Sequence, residues 1–222
     1  MVKYNSNKNS EFADRGIIKT NIEKYLGMTD IKFNTDQVNQ LTDLVMLLFK
    51  WNKSLNLTSI KDPLEMVTLH IIDSAVIVNL LKEDRVADVG TGAGFPGLVL
   101  AVLRPDIEFT LIDSIAKKLS FVRTAMVSLG LKNVKIINNR CENIIIDNKF
   151  KCIVSRAVAS IGNLVEWSHS ILADDGRLIA MKANVDENEK KSLPASAKIE
   201  NIVELNVPGL EASRCAVIIK QV

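Results

Sequence analysis

The sequence is poor in the residues that build metal and disulfide sites: 222 residues include 3 cysteines and 2 histidines. Cys141, Cys152 and Cys215 stand far apart with no C-x-x-C pair, so neither a disulfide framework nor a metal site is expected, and the thiols read as reduced and mostly buried. Charge of neither sign dominates. Lys and Arg number 28 and Asp and Glu 26, a net charge of +2, so composition neither demands nor excludes a nucleic-acid partner. No apolar run approaches the roughly 20 residues of a membrane span, and the polar start lacks the apolar core of a secretory leader. The expectation is a cytoplasmic protein without membrane contact. Repeats at solenoid periods and low-complexity tracts are also missing, and the length suits one main domain.

Three stretches differ in pattern. Residues 1–10 are polar and read as a flexible terminus. Residues 11–84 are spaced as helices. Leu41, Leu44, Val45, Leu48, Trp51 and Leu55 follow one face behind Thr35 as N-cap, and Asp62-Pro63-x-Glu65 opens a second helix whose stripe runs from Met66 to Leu80. Residues 85–222 alternate short β-like runs (85–89, 108–113, 134–138, 151–155, 177–182, 199–205, 215–220) with helical stretches. One of these runs from Ile115 to Gly130, another from Ile161 through Leu172 to Gly176. Alternation of this kind predicts right-handed crossovers and a mainly parallel sheet, closed by an antiparallel pair because 206–213 is too short for a helical crossover.

The first strand runs straight into Asp88-Val-Gly90-Thr-Gly92-Ala-Gly94-Phe95-Pro-Gly97. Glycines at such a turn let the backbone approach a ligand and enter a helix. Asp113, ending the next strand, is placed to grip ribose hydroxyls, so a nucleoside cofactor is expected. A dinucleotide would put its diphosphate beside the Asp88 carboxylate, an unfavourable pairing. S-adenosylmethionine, with a sulfonium and a free amino group, fits better.

The methyl acceptor is indicated by what the fourth strand does not carry. It ends in Ser155-Arg156, without the D-P-P-Y-like segment that exocyclic-amine methyltransferases use, and no cysteine sits in a loop suited to a thiolate nucleophile. A ring nitrogen with a free lone pair needs neither device, only alignment and stabilisation of charge. Arg156 itself has three candidate partners: the methionine carboxylate, an oxygen on the edge of the acceptor base beside its ring nitrogen, or an acid such as Glu142.

These segments, with Lys50-Trp-Asn-Lys-Ser-Leu-Asn-Leu-Thr-Ser59, His70-Ile-Ile-Asp-Ser74, Leu111-Ile-Asp-Ser114, Ser155-Arg-Ala157 and Val217-Ile-Ile-Lys220, resemble the RsmG family of bacterial 16S rRNA guanine-N7 methyltransferases, also called glucose-inhibited division protein B. The resemblance spans almost everything after residue 35. It implies an α/β, Rossmann-like seven-stranded methyltransferase fold with an N-terminal helical extension, S-adenosylmethionine as cofactor, and 16S rRNA or the small ribosomal subunit as partner. A methyltransferase of the same fold acting on a small molecule or protein, and an assembly factor that keeps the pocket without turnover, are the alternatives.

The expected cofactor residues are Asp88, Gly90, Gly92, Gly94, Phe95, Asp113, Cys141, Glu142 and Arg156, of which the family pattern supplies Gly90, Phe95, the Cys141-Glu142 pair and Arg156. Arg156 and Lys182 are the catalytic candidates. Relatives follow the lysine with glycine where this chain has Ala183, a strained position if left-handed. Asn52, Lys53, Lys117 and Arg123 are candidates for RNA contact, with Asn56 and Thr58 on the same side of the cleft. His70 reads as a core or interface histidine rather than a base, because N7 carries no proton to remove. Trp51 reads as core.

Overall fold

The computed structural model describes residues 14–157 and 159–222, so the expected flexible terminus, 1–10, lies outside the described residues. Helix α1 (Arg15–Leu26) begins at Asp14, whose carboxylate accepts the Gly16 and Ile17 N–H groups. Helix α2 (Thr35–Leu55) is capped one residue earlier than expected. Asn34 accepts the Gln37 N–H while the Gln37 side chain accepts the Asn34 N–H, a reciprocal arrangement that satisfies two otherwise unpaired donors. The Gln37 amide also donates to the carbonyls of Val102 and Leu103, and the Gln40 amide donates to that of Leu129. The helical segment is thereby tied to the ends of two later helices.

Asp62 and Pro63 start α3 (Pro63–Met66) as the sequence indicates, with the Asp62 carboxylate accepting the Leu64 N–H. The expected single helix to Leu80 does not continue. A π-helical segment occupies Val67–Ile72, followed by α4 (Asp73–Ala75) and a 3-10 turn at Val78–Leu80. The stretch from Pro63 to Leu80 is long and apolar enough to cross a membrane, and 56% of it is buried inside the fold.

The strands are β1 (Arg85–Val89), β2 (Glu108–Asp113), β3 (Val134–Asn138), β4 (Phe150–Arg156), β5 (Leu172–Lys182), β6 (Ala197–Glu204) and β7 (Cys215–Gln221). They form one sheet in the order β3-β2-β1-β4-β5-β7-β6. The pairs from β3 to β5 are parallel, and β7 lies antiparallel between β5 and β6. Helices α5 (Gly97–Leu103), α6 (Ala116–Leu129), α7 (Ile161–Ser168) and α8 (Glu187–Lys191) complete the fold. The sequence pattern carried α7 through Ile171 and Leu172, but the helix stops at Ser168 and Leu172 already belongs to β5.

One apolar cluster joins Ile18 and Leu41 of the helical segment to Leu100 of α5, Phe121 of α6 and Phe109 of the sheet. Trp51 packs against it, edge-on to Phe121 at 5.9 Å. A second cluster, with Ile153, Leu164 and Val217, fills the other face. The chain runs outward from β1 to β2 and β3 on one side and from β4 onward on the other, so strand order reverses between β1 and β4. Ligands in open α/β sheets bind at the carboxyl end of such a reversal.

Candidate active site

At that reversal a cavity of about 550 Å³ opens, lined by the Gly90–Gly92 turn, Phe95, Asp113, Cys141, Glu142 and Arg156 among others. This volume lies within the range of small-molecule sites. The turn is held to the sheet by the Gly90 and Thr91 N–H groups, which both donate to the Ile112 carbonyl. Gly92 has φ +59, and a Cβ there would meet nothing nearer than the Lys118 Nζ at 3.9 Å and the Gly90 carbonyl oxygen at 4.0 Å. A side chain would occupy the open cavity from a backbone conformation that L-residues rarely adopt.

Asp113 is fixed from two sides. Its Oδ2 accepts the Gly92 N–H at 2.8 Å and its Oδ1 accepts the Ile115 N–H at 2.8 Å. Each carboxylate oxygen can accept again, so the group still offers paired acceptors to a diol. Asp113 is not the N-cap of α6: that position is Ile115, whose own side chain makes no cap bond and whose N–H is held by Asp113 from two residues earlier.

The opposite wall is a chain of polar contacts centred on Arg156. Its Nη1 donates to Asp73 Oδ2 and to the Leu69 carbonyl, each at 2.8 Å, and its Nη2 lies 3.3 Å from His70 Nδ1. Asp73 is buried and its other oxygen accepts Arg214 Nε at 3.0 Å. His70 stacks on Phe95 with ring centroids 4.8 Å apart, and its Nε2 sits 2.9 Å from Thr58 Oγ1. Burial, reinforced by the Arg156 charge, lowers the His70 pKa to about 3, so the ring is neutral at physiological pH. Burial likewise pushes the Cys141 thiol up to about 11. Neither group is poised as a base or a thiolate nucleophile.

A family model described as "rRNA small subunit methyltransferase G" matches residues 37–218. The ribosomal RNA small subunit methyltransferase G of Actinobacillus succinogenes is 41% identical over 204 residues, covering 92% of this chain and 97% of the relative. That of Psychromonas ingrahamii is 41% identical over 202 residues, covering 91% and 98%. The chain belongs to the ribosomal RNA small subunit methyltransferase G family. In fold it is similar to a SAM-dependent methyltransferase from Aquifex aeolicus, with a TM-score of 0.56 at 19% identity over 75% of this chain and 97% of that one.

Within this family fold, several residues singled out by sequence sit elsewhere than expected. Asp88 does not line the cavity. It is wholly buried beneath the turn, where Oδ2 accepts the Thr91 hydroxyl at 2.6 Å and the Gly97 N–H at 2.8 Å, and Oδ1 has no partner. Burial pushes its pKa up to about 6 against the pull of those two hydrogen bonds. Gly94 is also off the cavity. A Cβ there would fall 2.3 Å from Leu98 Cδ1, so this glycine serves the packing of α5 under the loop.

Asn52 is buried and faces inward. Its Oδ1 accepts the Thr58 N–H at 2.9 Å and its Nδ2 donates to the Ile60 carbonyl at 3.0 Å. It clamps the loop after α2 and has no face left for RNA. Lys182 turns away to Glu189, at 2.9 Å, and to the Ala159 carbonyl. With the Ile161 N–H on the same Glu189 oxygen, it ties α8 to the start of α7. Ala183 is not left-handed, since among the described residues only Asn56 and Ala157 combine a side chain with positive φ. Lys53 lies over the Phe49 ring. Lys117 and Arg123 are exposed on α6 outside the cavity, Arg123 beside a second groove next to β3. The acid that pairs with Arg156 is Asp73, not Glu142, which lies 3.8 Å from Arg140. Among the described residues, no group of three or more His, Cys, Asp or Glu could hold a metal ion.

The roles of Asp73 and Arg214 were not anticipated from sequence. Thr58, whose polar side chain the sequence put beside the cleft, lines the cavity, as does Lys118.

Proposed function

We propose that the protein transfers a methyl group from S-adenosylmethionine to N7 of a guanosine in the 16S rRNA of the small ribosomal subunit, acting in the cytoplasm. Family membership supports the reaction and the rRNA substrate. The observation that carries the choice of a ring nitrogen is the neutral, fully engaged His70 beside Arg156. The wall offers donors and a fixed cation but no base, which suits an acceptor that already has a free lone pair.

The residues fit the cofactor. Asp113, with acceptor capacity left on both oxygens, would hold the ribose, and the open Gly90–Gly92 backbone would lie against the rest of the nucleoside. Cys141 and Glu142 line the same cavity on the adenine side in the family pattern. When bound, S-adenosylmethionine supplies an electrophilic methyl on a sulfonium. The chain's own contribution is geometric: Asp73 and the Leu69 carbonyl fix Arg156, Arg156 fixes His70, and the stacked His70–Phe95 pair forms an apolar wall that excludes water from the line of transfer. Exposed Lys117 and Arg123 supply phosphate contacts for the RNA. In this reading residues 85–222 form the methyltransferase core and 11–84 a helical extension contributing Thr58 and His70 to the site.

The experiment is incubation of labelled cofactor with small subunits from cells lacking the enzyme, followed by mass mapping of the rRNA. Label in a single N7-methylguanosine supports the reading, and absence of label from the rRNA refutes it.

A further inference from the structure

The hydrogen-bond inventory at Thr58 leaves its hydroxyl one possible role. Arginine can only donate, so the contact between Arg156 Nη2 and His70 Nδ1 makes Nδ1 an acceptor. The neutral ring then carries its proton on Nε2, which donates to Thr58 Oγ1 at 2.9 Å. The Ile60 N–H donates to the same oxygen at 3.2 Å. Both lone pairs of Oγ1 are thereby filled, and its own proton can only be given outward. Thr58 lines the cavity, and the Asn52 clamp fixes the backbone that carries it. A relay from Asp73 through Arg156 and His70 thus holds a threonine hydroxyl as a one-way donor at the site.

We propose that Thr58 is a specificity-determining residue whose hydroxyl donates to the C6 carbonyl oxygen of the guanine base. The inference rests on the reading that guanine N7 is the methyl acceptor. O6 lies beside N7 on the same edge of the base, so a bond to it positions the lone pair without consuming it. A 6-aminopurine would present N–H groups to an oxygen whose acceptor positions are occupied. The hydroxyl would then lose its partner and the amino group would find none, the kind of mismatch that gives strong discrimination in a closed site. The glycine turn and Asp113 belong to the sheet edge, whereas Thr58 comes from the segment after α2, so the base and the cofactor nucleoside are read by different elements.

The test compares wild type, Thr58→Val and Thr58→Ser under single-turnover conditions with enzyme in excess. The substrates are small subunits reconstituted with 16S rRNA bearing either guanosine or 2,6-diaminopurine at the position mapped with the wild type. Thr58→Val is expected to slow transfer to guanosine by roughly 10- to 100-fold, to leave S-adenosylmethionine affinity within about twofold, and to narrow the preference for guanosine over diaminopurine by a similar factor. Thr58→Ser, which keeps the hydroxyl, restores both rate and preference. Equal slowing on both bases with the preference unchanged would reduce Thr58 to a structural support and overturn the proposal. A loss of cofactor affinity that matches the loss of rate would assign the hydroxyl to the methionine carboxylate and overturn it as well. If the underlying functional reading is wrong, the wild type itself transfers no methyl to the rRNA, an outcome separate from a variant that matches an active wild type.

Discussion

Asp88→Asn should change the pH dependence of stability in a direction and by an amount that the site dictates. The Asp88 carboxylate is wholly buried, with Oδ1 unpaired, and burial raises its pKa from 3.8 to about 6. The folded protein therefore holds this proton more tightly than the unfolded chain does. The resulting stabilisation is fully present below pH 3.8 and is lost as pH rises through about 6. At about 1.4 kcal/mol per pH unit, the gap is worth roughly 3 kcal/mol. Asparagine does not titrate, and its Oδ1 can still accept from Thr91 and Gly97. Relative to wild type, the variant should gain about 3 kcal/mol between pH 3.5 and 7, whatever its offset at either end. His70 works in the opposite sense. With a folded pKa of about 3 against 6.5, it makes stability rise with pH across that window, so in the wild type the two slopes offset between about pH 4 and 6 and the variant uncovers the His70 slope. Urea unfolding followed by tryptophan fluorescence at half-unit pH steps gives the difference curve, from which other titrating groups cancel. Parallel wild-type and variant curves would mean that Asp88 keeps the same pKa folded and unfolded and would refute the argument.

Asp113→Ala should weaken S-adenosylmethionine at least tenfold by calorimetry, since losing a charge-assisted hydrogen bond costs about 1.5–3 kcal/mol and the Gly92 and Ile115 N–H groups lose their anchor; unchanged affinity would remove Asp113 from the ribose. Asp73→Asn leaves Arg156 and Arg214 without their shared buried carboxylate and should cost about 3 kcal/mol in urea unfolding; a loss below about 1 kcal/mol would show that other contacts hold both guanidiniums. Lys117→Ala with Arg123→Ala should flatten the dependence of log affinity for 16S rRNA on log salt by about 1.5, two phosphate contacts' worth; an unchanged slope would make both residues a solvated face.

The sheet was readable because parallel strands buried on both faces appear as short apolar runs, and Asp113 could be placed because a strand end fixes the side of the sheet. What escaped was non-local. The π-helical turn at Val67–Ile72 keeps an apolar stripe like that of an ordinary helix, while its Leu69 carbonyl is taken by Arg156, 87 residues away. Asp73 looked like one more polar residue on that helix, and its two arginine partners lie 83 and 141 residues on. Asn52 sits between Trp51 and Lys53 as if on a wet surface, yet its amide closes a loop six to eight residues later. Asp88 reads in the sequence as a cofactor-facing acid, but residue type alone does not say whether a carboxylate faces the ligand or, as here, supports the turn from below. Lys182 shows the same limit, since its charge is spent on Glu189.

On the proposed reading, the cavity between β1 and β4 methylates guanine N7 without a base. The most direct measurement is the pH dependence of single-turnover methyl transfer to small subunits isolated from cells lacking the enzyme, with the product mapped by mass spectrometry. Label is expected in one N7-methylguanosine, at a rate that stays flat from pH 6 to 8, because His70, with its pKa at about 3, does not change charge there. No label in the rRNA, or a rate that falls tenfold per pH unit toward acid within that window, would contradict that reading.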